Sequence, residues 1–396
     1  LNFFENKYKD FCENLKNQNK YRKLLTNFNQ DDRRLIDFSS NDYLCLSKNF
    51  DHEDFLKSLP LDQKNLFGST GSRLLSGNYE IFDIFEKQIA IDKNTEKALI
   101  CSSGYQANFS SLNAILDKKV LKDEAIVFFD KSNHASLYQG VLSSGVNLQR
   151  YAHSDLDHLE KLLQKYKNEE NPKFIITESV FGMDGDISNI EKLVELAAQY
   201  DCFLYIDEAH ATGVYGEHGY GLCSNIDNIC KKYSFDKNNL LIMGTFSKAL
   251  GSFGAYIAGS EILINFLTNK ASGFIYSTAL PPILIYSTFY NWKKIRNMSA
   301  ERNLLTKKAN FFRKLLMEND FNTEISNSHI VPIIFGDEEK VLKLKEYFFN
   351  KGILVSAIRP PTVQKSCIRV GLNVEHLEDE LRKFVNLLKK VDLSSN

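Results

Sequence analysis

The chain has 396 residues, 43% of them hydrophobic and 25% charged, an ordinary globular composition with apolar material for about two to three domains. A formal net charge of -1 leaves no broad electrostatic footprint for nucleic acid or a membrane surface, so neither is expected as a partner. The scattered cysteines Cys12, Cys45, Cys101, Cys202, Cys223, Cys230 and Cys367 imply no disulfide framework, and no segment resembles a signal peptide or a membrane span; a soluble, cytoplasmic protein is expected.

Residues 1–36 read as a polar helix and connector, with Phe3, Phe4, Tyr8 and Phe11 on a rough helical stripe; this is an arm, not a domain. Residues 37–282 read as a large domain in which strands alternate with helices. Strands are expected at Ala98–Cys101, Ala125–Phe129, Phe174–Thr177, Cys202–Ile206, Leu240–Met243 and Ala255–Ala258, and helices at Ile81–Ile91, Gln106–Leu116, Asp155–Tyr166 and Asn189–Tyr200. Such alternation implies an α/β fold built on a mostly parallel sheet covered on both faces. After Pro281-Pro282 a helical stretch from about Ile283 to Met317 leads into a smaller α+β domain, residues 283–396. That domain contains Ile330–Phe335, Val341–Lys351, Ile353–Ile358, Ile368–Leu372 and a terminal helix from about Glu378 to Val391.

Two strands end in chemistry. The run Cys202–Ile206 leads into Asp207-Glu208-Ala209-His210, and Leu240–Gly244 leads into Thr245-Phe246-Ser247-Lys248. In an open α/β sheet such residues line one crevice at the carboxyl ends of the strands, where ligands bind. A lysine to bond an aldehyde, a carboxylate to hold a pyridine nitrogen protonated and a hydroxyl near a phosphate are what an aldehyde cofactor needs. A lysine after a strand is ordinarily only a solvated cation. The Asp-Glu-Ala-His string also occurs in nucleic-acid motors, but these need a G-x-x-x-x-G-K-[ST] phosphate loop, and no Gly-Lys-Ser/Thr occurs here. No H-E-x-x-H and no C-x-x-C is present, so no metal site is expected. Ser102-Ser103-Gly104-Tyr105 follows a strand and opens a helix, where free N–H groups favour phosphate. The loop Gly68–Gly77 follows no convincing strand and reads as a flexible loop on the substrate side.

Taken together, these strings resemble the α-oxoamine synthases, pyridoxal-phosphate enzymes that condense an amino acid with an acyl thioester. The resemblance runs from Phe38-Ser39-Ser40-Asn41-Asp42-Tyr43-Leu44 to Arg369 through Ser132-Asn133-His134-Ala135-Ser136, Met183-Asp184-Gly185-Asp186, Asp207–Gly213 and Ile275-Tyr276-Ser277-Thr278. It implies a fold-type I transferase with pyridoxal 5'-phosphate bonded to Lys248, its ring nitrogen paired with Asp207, its phenolate oxygen near His210 and its ring covered by His134. Gly104, Tyr105 and Thr245 would seat the cofactor, and Ser277 and Thr278 would reach its phosphate from the second subunit of a homodimer. Lys248, lowered in pKa by desolvation and nearby positive charge, would serve as general base. Arg369 would grip the amino-acid carboxylate, with Asn41, Arg359 and Thr362 also on the substrate side.

Within the family, Ala357-Ile358-Arg359-Pro360-Pro361-Thr362-Val363 resembles the signature of members that join L-alanine to a pimeloyl thioester, carried on coenzyme A or on an acyl carrier protein, in biotin biosynthesis. Alternatives are glycine acetyl transfer and serine palmitoyl transfer, and, from another class, a non-catalytic binding protein that keeps only the fold. Three positions depart from the family pattern. Gly182 stands where many relatives carry serine, the stretch after Thr362 is about two residues short with Cys367 in place of a common arginine, and Asn78-Tyr79-Glu80 lacks a histidine frequent in the acetyl transferases.

Overall fold

The computed structural model describes residues 2–18, 20–22, 24, 35–60 and 66–391. A short strand β1 (Ile36–Asp37) precedes the strands β2 (Lys97–Cys101), β3 (Ile126–Asp130), β4 (Asn147–Tyr151), β5 (Lys173–Glu178), β6 (Cys202–Asp207), β7 (Leu240–Thr245) and β8 (Ala255–Gly259). The latter form a 7-stranded sheet in the order β2-β8-β7-β6-β5-β3-β4. All neighbours are parallel except β8, which runs antiparallel to both β2 and β7. The expected α/β class with a mostly parallel sheet is therefore what the chain adopts.

Period-two alternation sends side chains to opposite faces of each strand. Leu241, Met243 and Tyr205 pack with the helices Gly104–Ile115 and Glu261–Lys270 on one face. Leu240, Ile242, Leu204 and Ile206 pack with Leu156–Lys165 and Ile190–Gln199 on the other. All the helices expected in this region form, within a residue or two of their expected ends. β4 was not expected: Asn-Leu-Gln-Arg-Tyr has no apolar run, because as the sheet's edge strand it buries only Tyr151 fully.

The stretch expected to be one long helix is two, Pro282–Ile295 and Ser299–Met317, broken at Arg296–Met298. Beyond it, β9 (Ile330–Gly336), β10 (Ile353–Leu354), β11 (Ser356–Ile358) and β12 (Ser366–Gly371) follow. β11, β12 and β9 make an antiparallel sheet, whereas β10 pairs in parallel with β1. The run Ile353–Ile358 is thus divided between two sheets at Val355. The segment after β1 belongs with these late elements: the Phe38 ring lies 4.2 Å from that of His376 and 5.3 Å from that of Phe384. Among the described residues no helix is long and apolar enough to cross a membrane, and no cluster of His, Cys, Asp and Glu could hold a metal ion.

Candidate active site

Glu178 stands opposite Asp207 across β5 and β6, and Asp207 opposite Met243 across β6 and β7. The carboxyl ends of three parallel strands thus open onto one crevice. Asp207 is only 3% exposed. Its Oδ1 accepts from the Ala209 N–H at 2.8 Å and its Oδ2 from the Asn108 side-chain amide at 2.8 Å. The neighbouring Glu208 has a structural role: it forms a fully buried ion pair with Lys93 and accepts from the Cys223 N–H at 2.8 Å.

Lys248 follows β7 and is held at a pKa of about 8 by burial, against the pull of the Asp207 and Glu178 carboxylates and with Arg369 adding to the lowering. Burial and a neighbouring cation are the causes anticipated from the sequence. His134 caps the helix Ala135–Leu142. Its backbone N–H donates to Glu178 Oε1 at 2.6 Å, and its ring Nδ1 lies 2.7 Å from Ser136 Oγ. Burial lowers the His134 pKa, with Asp207 opposing. Burial also holds Glu178 well above the usual carboxylate range, with Asp207 as the next cause.

His210 Nδ1 lies 2.7 Å from the Tyr43 hydroxyl. Burial, then the Lys248 and Arg369 charges, keep its pKa well below the ordinary value. A Cβ on Gly182 would stand 2.2 Å from His210 Nε2, so the bare glycine is what gives this imidazole its place. The Gly182→Ala variant is expected to cost about 1–3 kcal/mol through overpacking. Urea unfolding checks this: the midpoint should fall at constant slope, and an unchanged midpoint would mean that His210 moves aside without cost.

At the other end of the crevice Ser103 caps the helix Gly104–Ile115, its hydroxyl accepting from the Gln106 N–H at 3.2 Å. The N–H groups of Gly104 and Tyr105 lie in the first turn, where a helix offers no internal acceptor. A Cβ on Gly104 would meet Thr245 Oγ1 at 3.8 Å, and that hydroxyl is 2.9 Å from Ser247 Oγ. Hydroxyls at a helix N-terminus make an anion cradle.

Arg369 on β12 is 4% exposed. Its Nε donates to the Gly182 carbonyl at 2.6 Å, and its Nη2 to Asn41 Oδ1 at 3.0 Å and, at 3.5 Å, towards the Tyr43 hydroxyl. All three acceptors are neutral, so among the described residues the buried guanidinium pairs with no carboxylate. Asn41 is thereby brought to the site. Arg359 and Thr362 lie on the turn between β11 and β12, which follows further along the hairpin from Ser356, the residue opposite Arg369. Ser277 and Thr278 line a crevice with Ser102, Arg73 and Phe82, and Thr278 bridges to Ser72. The loop Gly68–Gly77 is fastened there: Gly71 O accepts from the Ala279 N–H at 2.9 Å, and Arg73 pairs with Glu86 at 2.8 and 3.1 Å.

The loop bearing Gly182 is pinned from behind. His153, at the end of β4, lies between Asp130 Oδ1 at 2.9 Å and Asp186 Oδ1 at 3.0 Å. Burial alone would lower its pKa, but hydrogen bonds to the two carboxylates raise it to about 10. A folded value above the ordinary 6.5 means that the native state holds the proton more tightly. This contribution is complete below pH of about 6.5 and is lost as pH rises through about 10. His153→Ala removes the cation between the nearly buried Asp130 and Asp186 side chains, leaving them only the hydrogen bonds from Ser132 and Ser154, and is expected to cost about 3 kcal/mol at neutral pH. Denaturation midpoints of parent and variant should converge towards pH 10.

Glu178, Asn108, Ser136, Tyr205 and Tyr43 also belong to the site, and sequence reasoning gave none of them a role. Glu178 carried a usable signal, since it ends a buried strand as Asp207 does. Asn108 sits within a helix and Tyr205 within an apolar strand, where neither is distinguishable from core.

With this geometry in view, the comparisons with known proteins are specific. The chain belongs to the aminotransferase class I and II family, whose model it matches over residues 33–388. It is 41% identical over 366 residues to the 8-amino-7-oxononanoate synthase of Gluconacetobacter diazotrophicus, covering 91% of this chain and 88% of that one. It is 43% identical over 356 residues to a provisionally named 8-amino-7-oxononanoate synthase of Paramagnetospirillum magneticum, covering 89% and 87%. Its structure resembles the 8-amino-7-oxononanoate synthase of Francisella tularensis with a TM-score of 0.74 at 28% identity, covering 90% of this chain and 97% of the other. The fold is shared with the serine palmitoyltransferase of Sphingomonas wittichii at a TM-score of 0.78 and 23% identity, covering 91% and 87%.

The chain is thus a fold-type I enzyme of the α-oxoamine synthase group, an acyltransferase whose cofactor is pyridoxal 5'-phosphate. The donor set fits that cofactor. A buried lysine amine of lowered pKa, an oriented carboxylate and a helix-terminal anion cradle surround one crevice.

Proposed function

We propose that the protein joins L-alanine to a pimeloyl thioester with loss of carbon dioxide, giving 8-amino-7-oxononanoate. The observation that carries this reading is Arg369, a buried cation whose hydrogen-bond acceptors are all neutral. It suits the carboxylate of a small amino acid, gripped by a planar fork. The names of the relatives and the stretch Ala357–Val363 support alanine and pimeloyl as the pair.

Lys248 would hold the cofactor, Asp207 would meet its ring nitrogen, His210 its phenolate oxygen, and Gly104, Tyr105 and Thr245 its phosphate. When bound, the cofactor supplies a ring that stores the electron pair left when the amino acid loses its Cα proton or its carboxylate. Arg369, with Asn41 bound to the same guanidinium, would hold the carboxylate and so orient the Cα–H bond of the amino acid. The Lys248 amine takes the Cα proton, and its value of about 8 places it in the range of a general base at neutral pH. His134 would cover the ring and exclude water from the reacting carbon. Arg359 and Thr362 belong to the acyl side.

Two copies of the chain form the working unit in this reading, Ser277 and Thr278 of each reaching the phosphate of the other, and it acts in the cytoplasm. The test is a substrate panel in which alanine, glycine and serine are crossed with pimeloyl, acetyl and palmitoyl thioesters and thiol release is followed. Alanine with pimeloyl should be fastest; any other winner removes the biotin assignment.

A further inference from the structure

One buried amide joins the residue expected at the cofactor's ring nitrogen to the residue expected over its ring face. Asn108 is 1% exposed, on the helix whose N-terminus forms the anion cradle. The Tyr205 hydroxyl donates to its Oδ1 at 2.8 Å. Its amide nitrogen has two hydrogens, and both are used: one goes to Asp207 Oδ2 at 2.8 Å, the other to Ser136 Oγ at 2.9 Å. The reverse orientation would turn the amide oxygen towards the Asp207 carboxylate, so the network permits one arrangement of Asn108.

Ser136, fully buried, carries that order on to His134. The Ser136 N–H points at His134 Nδ1 from 3.2 Å, and the Ser136 hydroxyl lies 2.7 Å from the same nitrogen. A backbone N–H can only donate. His134 Nδ1 is therefore the bare, accepting nitrogen, and the single ring proton sits on Nε2. Burial, which disfavours the charged ring, agrees with a neutral imidazole.

We propose that Asn108 is a positioning residue of the cofactor site, holding the Asp207 carboxylate in line for the ring nitrogen and, by donating to Ser136 Oγ, turning the Ser136 hydroxyl hydrogen onto His134 Nδ1. The inference rests on the cofactor placement in the proposed function and not on the identity of either substrate. Its two arms are separable because Asp207 and Ser136 take different hydrogens of one NH2 group.

The test uses the full-length protein stripped of cofactor and titrated with pyridoxal 5'-phosphate, together with 15N-histidine spectra of the loaded protein. Asn108→Asp keeps the shape and the Tyr205 contact but sets a carboxylate against Asp207. It should weaken cofactor binding by about tenfold or more, the effect of losing a charge-assisted hydrogen bond, and move the pH midpoint of the visible band. Ser136→Ala should leave cofactor affinity within about twofold of the parent, since the Asp207 arm is intact, while the His134 Nδ1 signal shifts because the hydroxyl contact is lost and only the longer backbone N–H contact remains. Tyr205→Phe, which frees the amide to turn without altering charge, should show both effects in weaker form. Parental affinity and band in both Asn108→Asp and Tyr205→Phe would overturn the proposal. Equal loss of affinity in Ser136→Ala and Asn108→Asp would also overturn it, because that pattern reports packing alone. The substrate panel does not enter this test, so a different acyl substrate leaves its outcome unchanged.

Discussion

Replacing Lys248 with alanine is expected to lower turnover by about 10⁴-fold or more, the upper range for removing a group that both binds covalently and moves a proton. The crevice gives this lysine its special chemistry. Burial brings the amine to about 8, so at pH 7 roughly one molecule in ten carries the free amine, against about one in several thousand at an ordinary lysine value. Only the free amine can attack an aldehyde. Capture of pyridoxal 5'-phosphate by the stripped protein should therefore quicken as pH rises through about 8 and level off above it. Rapid-mixing absorbance measures that profile, and a rate still climbing steeply beyond pH 9 would remove the lowered value. Borohydride should fix the cofactor's mass to Lys248 in the parent and leave the alanine variant unlabelled.

The second large effect belongs to Arg369. Truncating one partner of a buried, hydrogen-bonded charge pair costs about 2–5 kcal/mol, so Arg369→Ala should raise the KM for the amino acid by roughly 30-fold to several thousand-fold. The KM for the thioester should stay near its parental value, because the guanidinium is held by Gly182, Asn41 and Tyr43 on the amino-acid side. Arg369→Lys should recover little, since a point charge cannot reproduce a fork held by Gly182 and Asn41. Steady-state kinetics varying each substrate in turn settle the point: equal rises in both KM values would move Arg369 away from the carboxylate.

Much of this was legible in the residues themselves. The strand that ends in Asp207 and the one that leads to Lys248 are apolar runs ending in polar groups, and a parallel sheet buried on both faces gives that pattern to its central strands. The same logic hides β4, whose edge position lets Asn147, Gln149 and Arg150 stay partly or fully exposed. The helical stretch after Pro282 reads as continuous because periodicity does not record a break of a few residues at Arg296–Met298. Contacts made over long stretches of chain are the hardest to read. Asn108 meets Asp207 and Tyr205 across about a hundred residues of sequence, and nothing local to Asn108 distinguishes a buried amide that organises a site from one that faces solvent. Gly182 could be read as a missing hydroxyl, whereas its role in making room for His210 needed the geometry.

The pairing of Ile36 with Ile353 and of Asp37 with Leu354 joins parts of the chain that leave the ribosome far apart in time. The main sheet is complete once Gly259 has emerged, yet Asn41 and Tyr43 reach Arg369 only about a hundred residues later. Until then Phe38, Tyr43, Leu44 and Leu46, all buried in the finished protein, lack the late partners they pack against, the state in which nascent chains are most prone to stick together. Closing so long a loop is slow. Assembly of this corner therefore follows that of the main sheet, and a chain released before Arg369 would hold a finished sheet without the guanidinium proposed to grip the amino acid.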